Sequence, residues 1–299
     1  MINGIINVYK EAGFTSFDVV AKLRGILKQK KIGHTGTLDP DATGVLPVCL
    51  GSATKVCDLM TDKSKEYVAT MLLGIETDTY DISGRVVNQN KVSVDEDKMR
   101  DILQEFVGKS MQIPPMYSAL KVNGKKLYEY ARAGIEIERE PRKIHIYDLE
   151  ILNIELPEIT FRVHCSKGTY IRSICHDAGR IAGCGGCMKS LVRTRVDCFN
   201  IEQAHTLEEI ESMVKNGNVN DAVLEVDSVF EAYPKATVMD EHAKVLYNGN
   251  RLQPQWLNPQ PMRPDKVRIY DEFGAFIGIY RYEESRKDFK PEKIFWRQD

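Results

Sequence analysis

The hydrophobic and polar positions near the start of the chain follow two different periods, which predict a strand and then a helix. Residues 2–8 are rich in β-branched apolar side chains and predict a strand. Thr15 and Asp18 then have the spacing of a capping box, which marks a helix N-terminus. Behind it, apolar residues recur at helical spacing, namely Val19, Val20, Leu23, Ile26 and Leu27.

A second strand and helix follow. Residues 67–73 predict a strand, and residues 76–84 form an acidic turn behind it. Ser93 and Glu96 repeat the capping-box spacing. The helix that they predict has one apolar face, made of Met99, Ile102, Leu103, Phe106 and Val107.

The middle of the chain predicts a strand pair and two further helices. Residues 144–154 and 159–165 are expected to pair, because apolar and polar positions alternate in the second of them. A turn at residues 166–169 leads into a helix whose apolar stripe is Ile171, Ile174, Cys175, Ala178 and Ile181. Thr206 and Glu209 cap a further short helix.

Three stretches lack this periodicity. Residues 33–47 contain Gly and Pro but no repeat, and predict a loop. Residues 111–143 are polar and basic and contain several glycines, so we expect them to lie outside the core and to become ordered when a partner molecule binds. Beyond about residue 230 the texture changes again, and strand-like runs at residues 267–270 and 276–282 predict a small β-rich module.

Length and composition narrow the class of protein. The chain has 299 residues, 42% hydrophobic and 28% charged, which is typical of a folded globular protein with one large or two unequal domains. No apolar run approaches the ~20 residues that cross a bilayer, and the first strand lacks the basic start of a signal peptide. We therefore expect a cytoplasmic location.

The cysteines suggest reduced thiols rather than a disulfide framework or a metal site. There are seven of them, an odd number, scattered along a chain long enough to build a core. Cys184 and Cys187 form one CxxC pair, whereas a structural zinc needs four ligands. We expect these two residues to lie in a Gly-rich turn, and we expect no metal or other cofactor.

Charge gives a local rather than a global indication of a nucleic-acid partner. The net charge is −2 and the sequence pI is about 6.3. Two basic groups could contact phosphates. The first group is Lys22, Arg24, Lys28, Lys30 and Lys31, and the second is Lys121, Lys125, Lys126 and Arg132. Solvated helix faces have the same composition, so these groups alone do not choose between the two interpretations.

The richest candidate for chemistry is the segment at residues 33–46, GHTGTLDPDATGVL. Its glycines allow sharp turns and close approach to a ligand, and Pro40 restricts Asp39 to extended backbone angles. Loops held by a scaffold are favoured places for catalysis. An ordinary surface turn has the same residue types, so composition leaves both interpretations open.

Residues 39–43, DPDAT, also fit D-x-D-x-T, the nucleophile motif of magnesium-dependent HAD-type phosphohydrolases. This is an alternative to the surface turn. That motif should follow a buried parallel strand with about four apolar residues before its first Asp. Here the preceding residues are GHTGTL, which do not form such a strand. A third alternative is a protein that binds or folds RNA without catalysis.

The segment at residues 33–46 resembles the catalytic motif of the TruB family of pseudouridine synthases, GHTG-x-LDP-x-ATG-x-L. Further stretches that resemble motifs of this family are residues 4–16, 65–74, 78–81, 115–134 and 165–172. Residues 246–250 and 274–278 resemble a PUA RNA-binding domain. Two departures are Glu11, where the family usually has Pro after Lys10, and Val192, where it usually has the first of two arginines.

The resemblance implies catalytic roles for three residues. Asp39 is the expected essential carboxylate, which attacks the ribose or the base or deprotonates the sugar; the sequence does not choose among these routes. Burial alone would raise the pKa of Asp39, so it needs a cationic partner, and Arg172 is the matching residue. Tyr67 is expected to stack on the flipped uracil and to assist removal of the proton from carbon five.

The resemblance also implies contacts with RNA. His34 is expected to fill the space that the extruded base leaves. Asp81 and Tyr170 are expected to line the same pocket. The remaining expected RNA contacts are Lys10, Lys121 and Arg193.

The resemblance implies an α+β fold, with a pseudouridine synthase domain at residues 1–230 built on a mixed, mainly antiparallel sheet with flanking helices. The RNA-gripping insertion is at about residues 111–143, and a PUA-like domain is at residues 231–299. The implied reaction converts the uridine at position 55, in the T loop of tRNA, to pseudouridine, with recognition by shape and splayed bases. We expect a monomer with the T-arm stem-loop of tRNA as partner, and no membrane or protein partner.

Overall fold

The computed structural model describes residues 1–262 and 264–296, which form two large sheets and two small two-stranded sheets, with helices around them. The α-helices are α1 (Ser16–Ile26), α2 (Cys57–Thr61), α3 (Glu96–Gln104), α4 (Leu127–Arg132), α5 (Ile171–Ile181), α6 (Leu207–Asn216) and α7 (Ala243–Tyr247). None of the helices in these residues is long and apolar enough to cross a membrane.

The strands up to residue 165 are β1 (Gly4–Lys10), β2 (Ile32–His34), β3 (Thr43–Leu50), β4 (Lys65–Leu73), β5 (Ile75–Thr77), β6 (Val86–Gln89), β7 (Gly108–Gln112), β8 (Lys121–Val122), β9 (Lys125–Lys126), β10 (Arg142–Glu155) and β11 (Glu158–Cys165). Those after it are β12 (Gly186–Val196), β13 (Phe199–Asn200), β14 (Val223–Leu224), β15 (Lys235–Val238), β16 (Leu257–Asn258), β17 (Lys266–Tyr270), β18 (Phe276–Glu283) and β19 (Asp288–Ile294).

The larger sheet has ten strands in the order β14-β1-β3-β12-β4-β11-β10-β7, with β2 beside β3 and β13 beside β12. The pair β3–β12 is parallel, and the other strand pairs of this sheet are antiparallel in the described residues. The smaller sheet has the order β16-β15-β17-β18-β19. An α+β fold with a mixed, mainly antiparallel sheet and a β-rich C-terminal part is therefore confirmed.

Local sequence signals explain several of these elements. Along β4, buried and partly buried positions alternate, as expected for a strand with one face on the core. That face packs against α3 and α5. The capping boxes at Thr15 and Thr206 are both present, with the side chains of Asp18 and Glu209 accepting in return.

The predicted cap of α3 is wrong. The side chain of Asp95, rather than Ser93, accepts from the backbone N–H of Lys98 at 2.8 Å. Asp95 is the better cap because a carboxylate at this position also interacts favourably with the helix dipole. The apolar face is confirmed at Met99, Ile102 and Leu103, whereas Val107 lies beyond the helix and is exposed.

The predicted loop at residues 33–47 is shorter than expected, because β2 ends at His34 and β3 begins at Thr43. The apolar run within β3 is buried on both faces of the sheet, which removes the alternation that marks a half-exposed strand. We call residues 35–42 the Asp39 loop.

The central strand β12 was missed. The turn expected around Cys184 and Cys187 gives way to β12 at Gly186. Register shifts between Met188 and Ser190, and between Arg193 and Arg195, interrupt its alternation, so the sequence shows no period of two.

The insertion at residues 111–143 has secondary structure of its own in the absence of RNA, whereas the sequence led us to expect that it becomes ordered only on binding. It contains the hairpin β8–β9 and helix α4, and Leu127 on α4 is buried. Its ends belong to β7 and β10 of the larger sheet.

The two sheets share part of their hydrophobic core. Val45 and Cys49 of β3 belong to the same buried cluster as Phe230, Ile279 and Phe295. The predicted boundary between residues 230 and 231, and the PUA-like character of the second domain, stay predictions. Of the residues predicted for that domain, Arg263 and residues 297–299 lie outside the described residues.

Candidate active site

Asp39 lies on the Asp39 loop, which α1 and its preceding turn hold in place. The backbone N–H of Leu38 donates to the Ser16 hydroxyl at 2.9 Å, and Leu38 itself is buried. The backbone N–H of Gly13 donates to the carbonyl of Pro40 at 3.0 Å. The Asp39 side chain is 39% exposed, so its carboxylate is accessible while its backbone is anchored on both sides.

Arg172, in the first turn of α5, makes a two-pronged ion pair with Asp39. Its Nε lies 3.0 Å from Asp39 Oδ2, and its Nη2 lies 3.2 Å from Asp39 Oδ1. The Arg172 side chain is only 6% exposed. This is the planar, bidentate geometry for which arginine is suited.

Arg172 also joins two other segments to the Asp39 loop. Its Nη1 donates to the carbonyl of Thr79 at 3.1 Å and lies 3.5 Å from Asp81 Oδ2. Its Nη2 donates to the carbonyl of Tyr117, in the insertion, at 2.9 Å. One guanidinium group therefore connects the Asp39 loop, the acidic turn and the insertion.

The acidic turn is tightly bonded around Asp81. The hydroxyl of Thr77 donates to the Asp81 carbonyl at 2.6 Å, and the hydroxyl of Thr79 donates to Asp81 Oδ1 at 2.8 Å. Tyr80 has a φ of 65° and stacks on His176 of α5, with ring centroids 3.8 Å apart. A positive φ is strained for a large side chain, so the surrounding contacts hold this turn in one conformation.

Burial raises the pKa of Asp39 above its usual value. The charge of Arg172 acts in the opposite direction, whereas the charge of Asp81 raises the pKa of Asp39 further. The cation expected beside Asp39 is therefore present, but its attraction offsets only part of the effect of burial.

Tyr67 lies on β4, in the same hydrophobic cluster as Leu38. Burial raises the pKa of its phenol to about 12, and the positive charge of Arg193 acts against this. The phenol is therefore protonated at neutral pH in the free protein.

Lys10 was expected to contact RNA, and the structure corrects this. The side chain is fully buried, and its Nζ donates to the carbonyls of Glu11, Phe14 and Pro40 at 3.0, 2.6 and 2.9 Å. Because all three donors of the ammonium group are engaged inside the protein, Lys10 holds the Asp39 loop and has none left for a phosphate.

Arg193 was also expected to contact RNA and is likewise buried, at 1% exposure. Its guanidinium group donates to three carbonyls on either side of Asp39, those of Val45, Thr37 and Gly36. It supports the Asp39 loop from below, so the expected phosphate contact is wrong.

The other predicted residues lie on different sides of this cluster. His34 is half-buried at the end of β2, its Nδ1 accepts from the Gly36 N–H at 3.3 Å, and burial lowers its pKa. Tyr170 precedes α5, and the Gln112 side chain bonds its backbone N–H and carbonyl. Lys121 is exposed on the β8–β9 hairpin of the insertion.

Sequence reasoning missed the carbonyls of Thr79 and Tyr117, and it missed Gln112. Backbone acceptors leave no signal in residue types, because every residue has a carbonyl. Gln112 had one indirect signal, since it precedes Ile113 and two prolines, where a strand is expected to end.

The site does not have the geometry of a HAD-type phosphohydrolase. The strand before Asp39 is β2, which has three residues and pairs antiparallel with β3. Asp41 is exposed on the Asp39 loop. In the described residues no group of three or more His, Cys, Asp or Glu side chains is placed to hold a metal ion.

Solved structures with a similar fold define the class of protein. The chain aligns with "Crystal Structure of a Cbf5-Nop10-Gar1 Complex" at 29% identity and a TM-score of 0.75, over 98% of this chain and 85% of that one. It aligns with "Structure of H/ACA RNP bound to a substrate RNA containing 2'-deoxyuridine" at 28% identity and a TM-score of 0.74, over 99% and 86%. With the paired Asp39 and Arg172, this fold defines a pseudouridine synthase, an RNA-modifying isomerase.

Family models and curated relatives narrow the class. Residues 24–171 match "TruB family pseudouridylate synthase (N terminal domain)", and residues 172–231 match "tRNA pseudouridylate synthase B C-terminal domain". Proteins named tRNA pseudouridine synthase B from Lachnoclostridium phytofermentans and Clostridium kluyveri are 53% and 46% identical, over 98% of this chain and 100% of each relative. The chain belongs to the TruB family of pseudouridine synthases.

Proposed function

We propose that this protein converts the T-loop uridine of tRNA, conventionally numbered 55, to pseudouridine, with Asp39 as the catalytic carboxylate and base flipping to expose the target. The observation that supports this most directly is the two-pronged pair of Asp39 and Arg172 on an anchored, accessible loop. The names of the curated relatives support tRNA as the substrate.

The reaction is an isomerisation, so nothing is added or lost overall. The bond between N1 of uracil and C1′ of ribose breaks, the detached base turns, and a bond forms between C5 and C1′. A proton then leaves C5, and N1 carries a proton in the product. Asp39 must be ionised to begin the reaction by any of the three routes, and Arg172 both favours that charge and fixes its direction.

Around this pair, other residues hold the flipped nucleotide. The ring of Tyr67 stacks on the uracil, and its hydroxyl assists removal of the C5 proton. His34 fills the space that the base leaves; since burial lowers its pKa, the ring is neutral and suited to stacking. Asp81 and Tyr170 line the pocket, and Lys121 on the exposed hairpin contacts the RNA backbone.

The partner that we propose is the T-arm stem-loop of tRNA, bound by a monomer in the cytoplasm, where tRNA is found. The insertion grips the T-arm, and the carbonyl of Tyr117 connects it to Arg172. We expect bound tRNA to protect residues 111–143 from limited proteolysis. Equal cleavage with and without tRNA would contradict this role of the insertion.

The decisive experiment uses unmodified tRNA with tritium at uridine C5, without added metal. The parent should release tritium and place pseudouridine in the T loop, whereas Asp39→Ala should reduce release at least about 1,000-fold, because no other group replaces the carboxylate. Asp41→Ala is the matched control, since Asp41 lies on the same loop but is exposed. Its rate should stay near that of the parent.

Two results would contradict the proposal. Release by Asp39→Ala at the parent rate would remove Asp39 from the chemistry. Binding of tRNA by the parent without any tritium release would instead indicate the alternative role, an RNA-binding or RNA-folding protein.

A further inference from the structure

Arg193 lies on the strand between the two strands that flank the site. It is on β12, beside Gly44 of β3 in the parallel pair and beside Tyr67 of β4 in the antiparallel pair. Gly44 has a φ of 104°, and a Cβ there would lie 2.2 Å from the Arg193 carbonyl oxygen. Only glycine permits so close an approach, so the start of β3, directly after the Asp39 loop, packs against the backbone of Arg193.

The Arg193 side chain bonds both the Asp39 loop and the strand that follows it. Nε donates to the Val45 carbonyl of β3 at 2.7 Å. Nη1 and Nη2 donate to the carbonyls of Thr37 and Gly36, each at 3.3 Å, just before Asp39. A planar fork can reach three acceptors in fixed directions, which a lysine ammonium on a flexible stem cannot do in the same way.

Besides the three carbonyls, the guanidinium group of Arg193 interacts electrostatically with the phenol of Tyr67. Burial lowers the pKa of the Arg193 guanidinium, and the Tyr67 phenol beside it acts in the opposite direction. Reciprocally, Arg193 counters the rise that burial causes in the pKa of Tyr67. A buried cation is costly unless dipoles or charges compensate it, and here three carbonyls and one phenol surround it.

We propose that Arg193 is a positioning residue that holds the Asp39 loop and the hydroxyl of Tyr67 in one arrangement. This inference rests on the proposed function, in which Asp39 and Tyr67 act on the same uridine. Because Arg193 is buried, it acts through these two groups rather than through a contact with the substrate. Its loss should therefore lower kcat and leave tRNA binding largely intact.

The test compares three variants in the full-length protein. Arg193→Met removes both the fork and the charge, and Arg193→Lys keeps the charge alone. Arg195→Met is the matched control, because Arg195 is on the same strand but pairs with Glu66 at 3.3 Å. Glu66 and Tyr67 are neighbours on β4 and point to opposite faces of the sheet.

We expect kcat to fall about 100-fold in Arg193→Met, the size of effect that a displacement of about 1 Å produces. We expect a fall of about tenfold in Arg193→Lys, with the Kd for tRNA near the parent value in both. Arg195→Met should keep the parent kcat.

A second readout separates positioning from simple support of the fold. Difluorotyrosine at position 67 has a more acidic phenol than tyrosine, and fluorine NMR follows its titration. In Arg193→Met the pKa of this phenol should rise by about one unit or more, because the neighbouring positive charge is gone. In Arg193→Lys the rise should be smaller, and in Arg195→Met it should be absent.

Parent kcat together with an unchanged titration in a folded Arg193→Met variant would overturn the proposal. If Arg193→Met does not fold, Arg193→Lys decides on kcat alone, and a parent rate there would overturn it. Failure of the proposed function is distinguishable, because the parent protein would then form no pseudouridine. The titration, which needs no activity, would still show whether Arg193 sets the state of Tyr67.

Discussion

At the scale of single residues, Arg172 lies between the carboxylates of Asp39 and Asp81, and the charges of both neighbours set the pH range in which Asp39 is active. Its pKa is raised by burial, lowered by Arg172 and raised again by Asp81. Since Asp39 works as the ionised form, activity should be lost on the acidic side at a higher pH than for an ordinary aspartate.

We call this fall in rate at acidic pH the acidic limb. We predict that Asp81→Asn moves the acidic limb to lower pH, because the substitution removes the negative charge that disfavours ionised Asp39. The measurement is the pH dependence of the single-turnover rate of tritium release. Asp78→Asn is the control from the same turn, since Asp78 accepts from the Arg85 N–H rather than from Arg172. A limb that stays in place in Asp81→Asn would contradict the electrostatic account, whatever the change in maximal rate.

The pKa of Lys10 predicts a second limit on activity, a fall in rate at alkaline pH, which we call the alkaline limb. Burial lowers its pKa to about 8, and a neutral amine has two N–H donors for the three carbonyls that the ammonium group serves. Losing one bond loosens the anchor at Pro40, so the rate should fall above about pH 8. The folded protein holds this proton less tightly than the unfolded chain, so deprotonation favours folding and the fall should occur without unfolding.

Two variants check this prediction. Lys10→Met should be slower at every pH and should lack the alkaline limb. Lys65 also has a pKa lowered to about 8, but its Nζ bonds the carbonyls of Thr61 and Lys63, outside the Asp39 loop. Lys65→Met should therefore keep the limb. If the loss of activity above about pH 8 disappeared in Lys65→Met and persisted in Lys10→Met, the titrating group would be Lys65, and the prediction for Lys10 would be wrong.

At the scale of elements, the N-terminus of α3 offers a direct test of helix capping. The Asp95 side chain accepts from Lys98, whereas Ser93 lies two residues before the cap. Asp95→Ala should lower the free energy of unfolding by about 1 kcal/mol. Ser93→Ala should leave it unchanged, as measured by urea denaturation; equal losses in the two variants would contradict the assignment of the cap.

At the scale of the whole molecule, the two sheets share a core, so they should unfold together. Phe295 packs with Phe230 and Phe276 in the cluster that also contains Val45 of β3. Phe295→Ala should lower the free energy of unfolding by about 3–5 kcal/mol, because it leaves a cavity between the sheets.

Calorimetry should show one transition for the parent protein and a less cooperative one for Phe295→Ala. The control is Phe273→Ala, because Phe273 is 81% exposed at a turn of the smaller sheet and leaves no cavity. Two separate transitions in the parent would mean that the shared cluster contributes little to stability.

The amino-acid sequence by itself determined the features that depend on neighbouring residues. Thr15 and Thr206 cap helices because the partner is three residues away, and the alternation in β11 shows one buried face without reference to the rest of the chain. The Asp39 segment was recognisable because its unusual residues are contiguous. The expectation that Arg172 would pair with Asp39 came from the motif around each residue, not from their separation along the chain.

Only the tertiary structure decided which charged residues face inward. Lys10 and Arg193 are of residue types that commonly contact RNA phosphates. Packing nevertheless buries both next to the Asp39 loop, where backbone carbonyls replace water around their charges. The tertiary structure alone also decided the bulges of β12 and the use of the Thr79 and Tyr117 carbonyls as acceptors for Arg172. Their partners are distant in sequence, and the energy that places them comes from contacts that exist only once the sheet has formed.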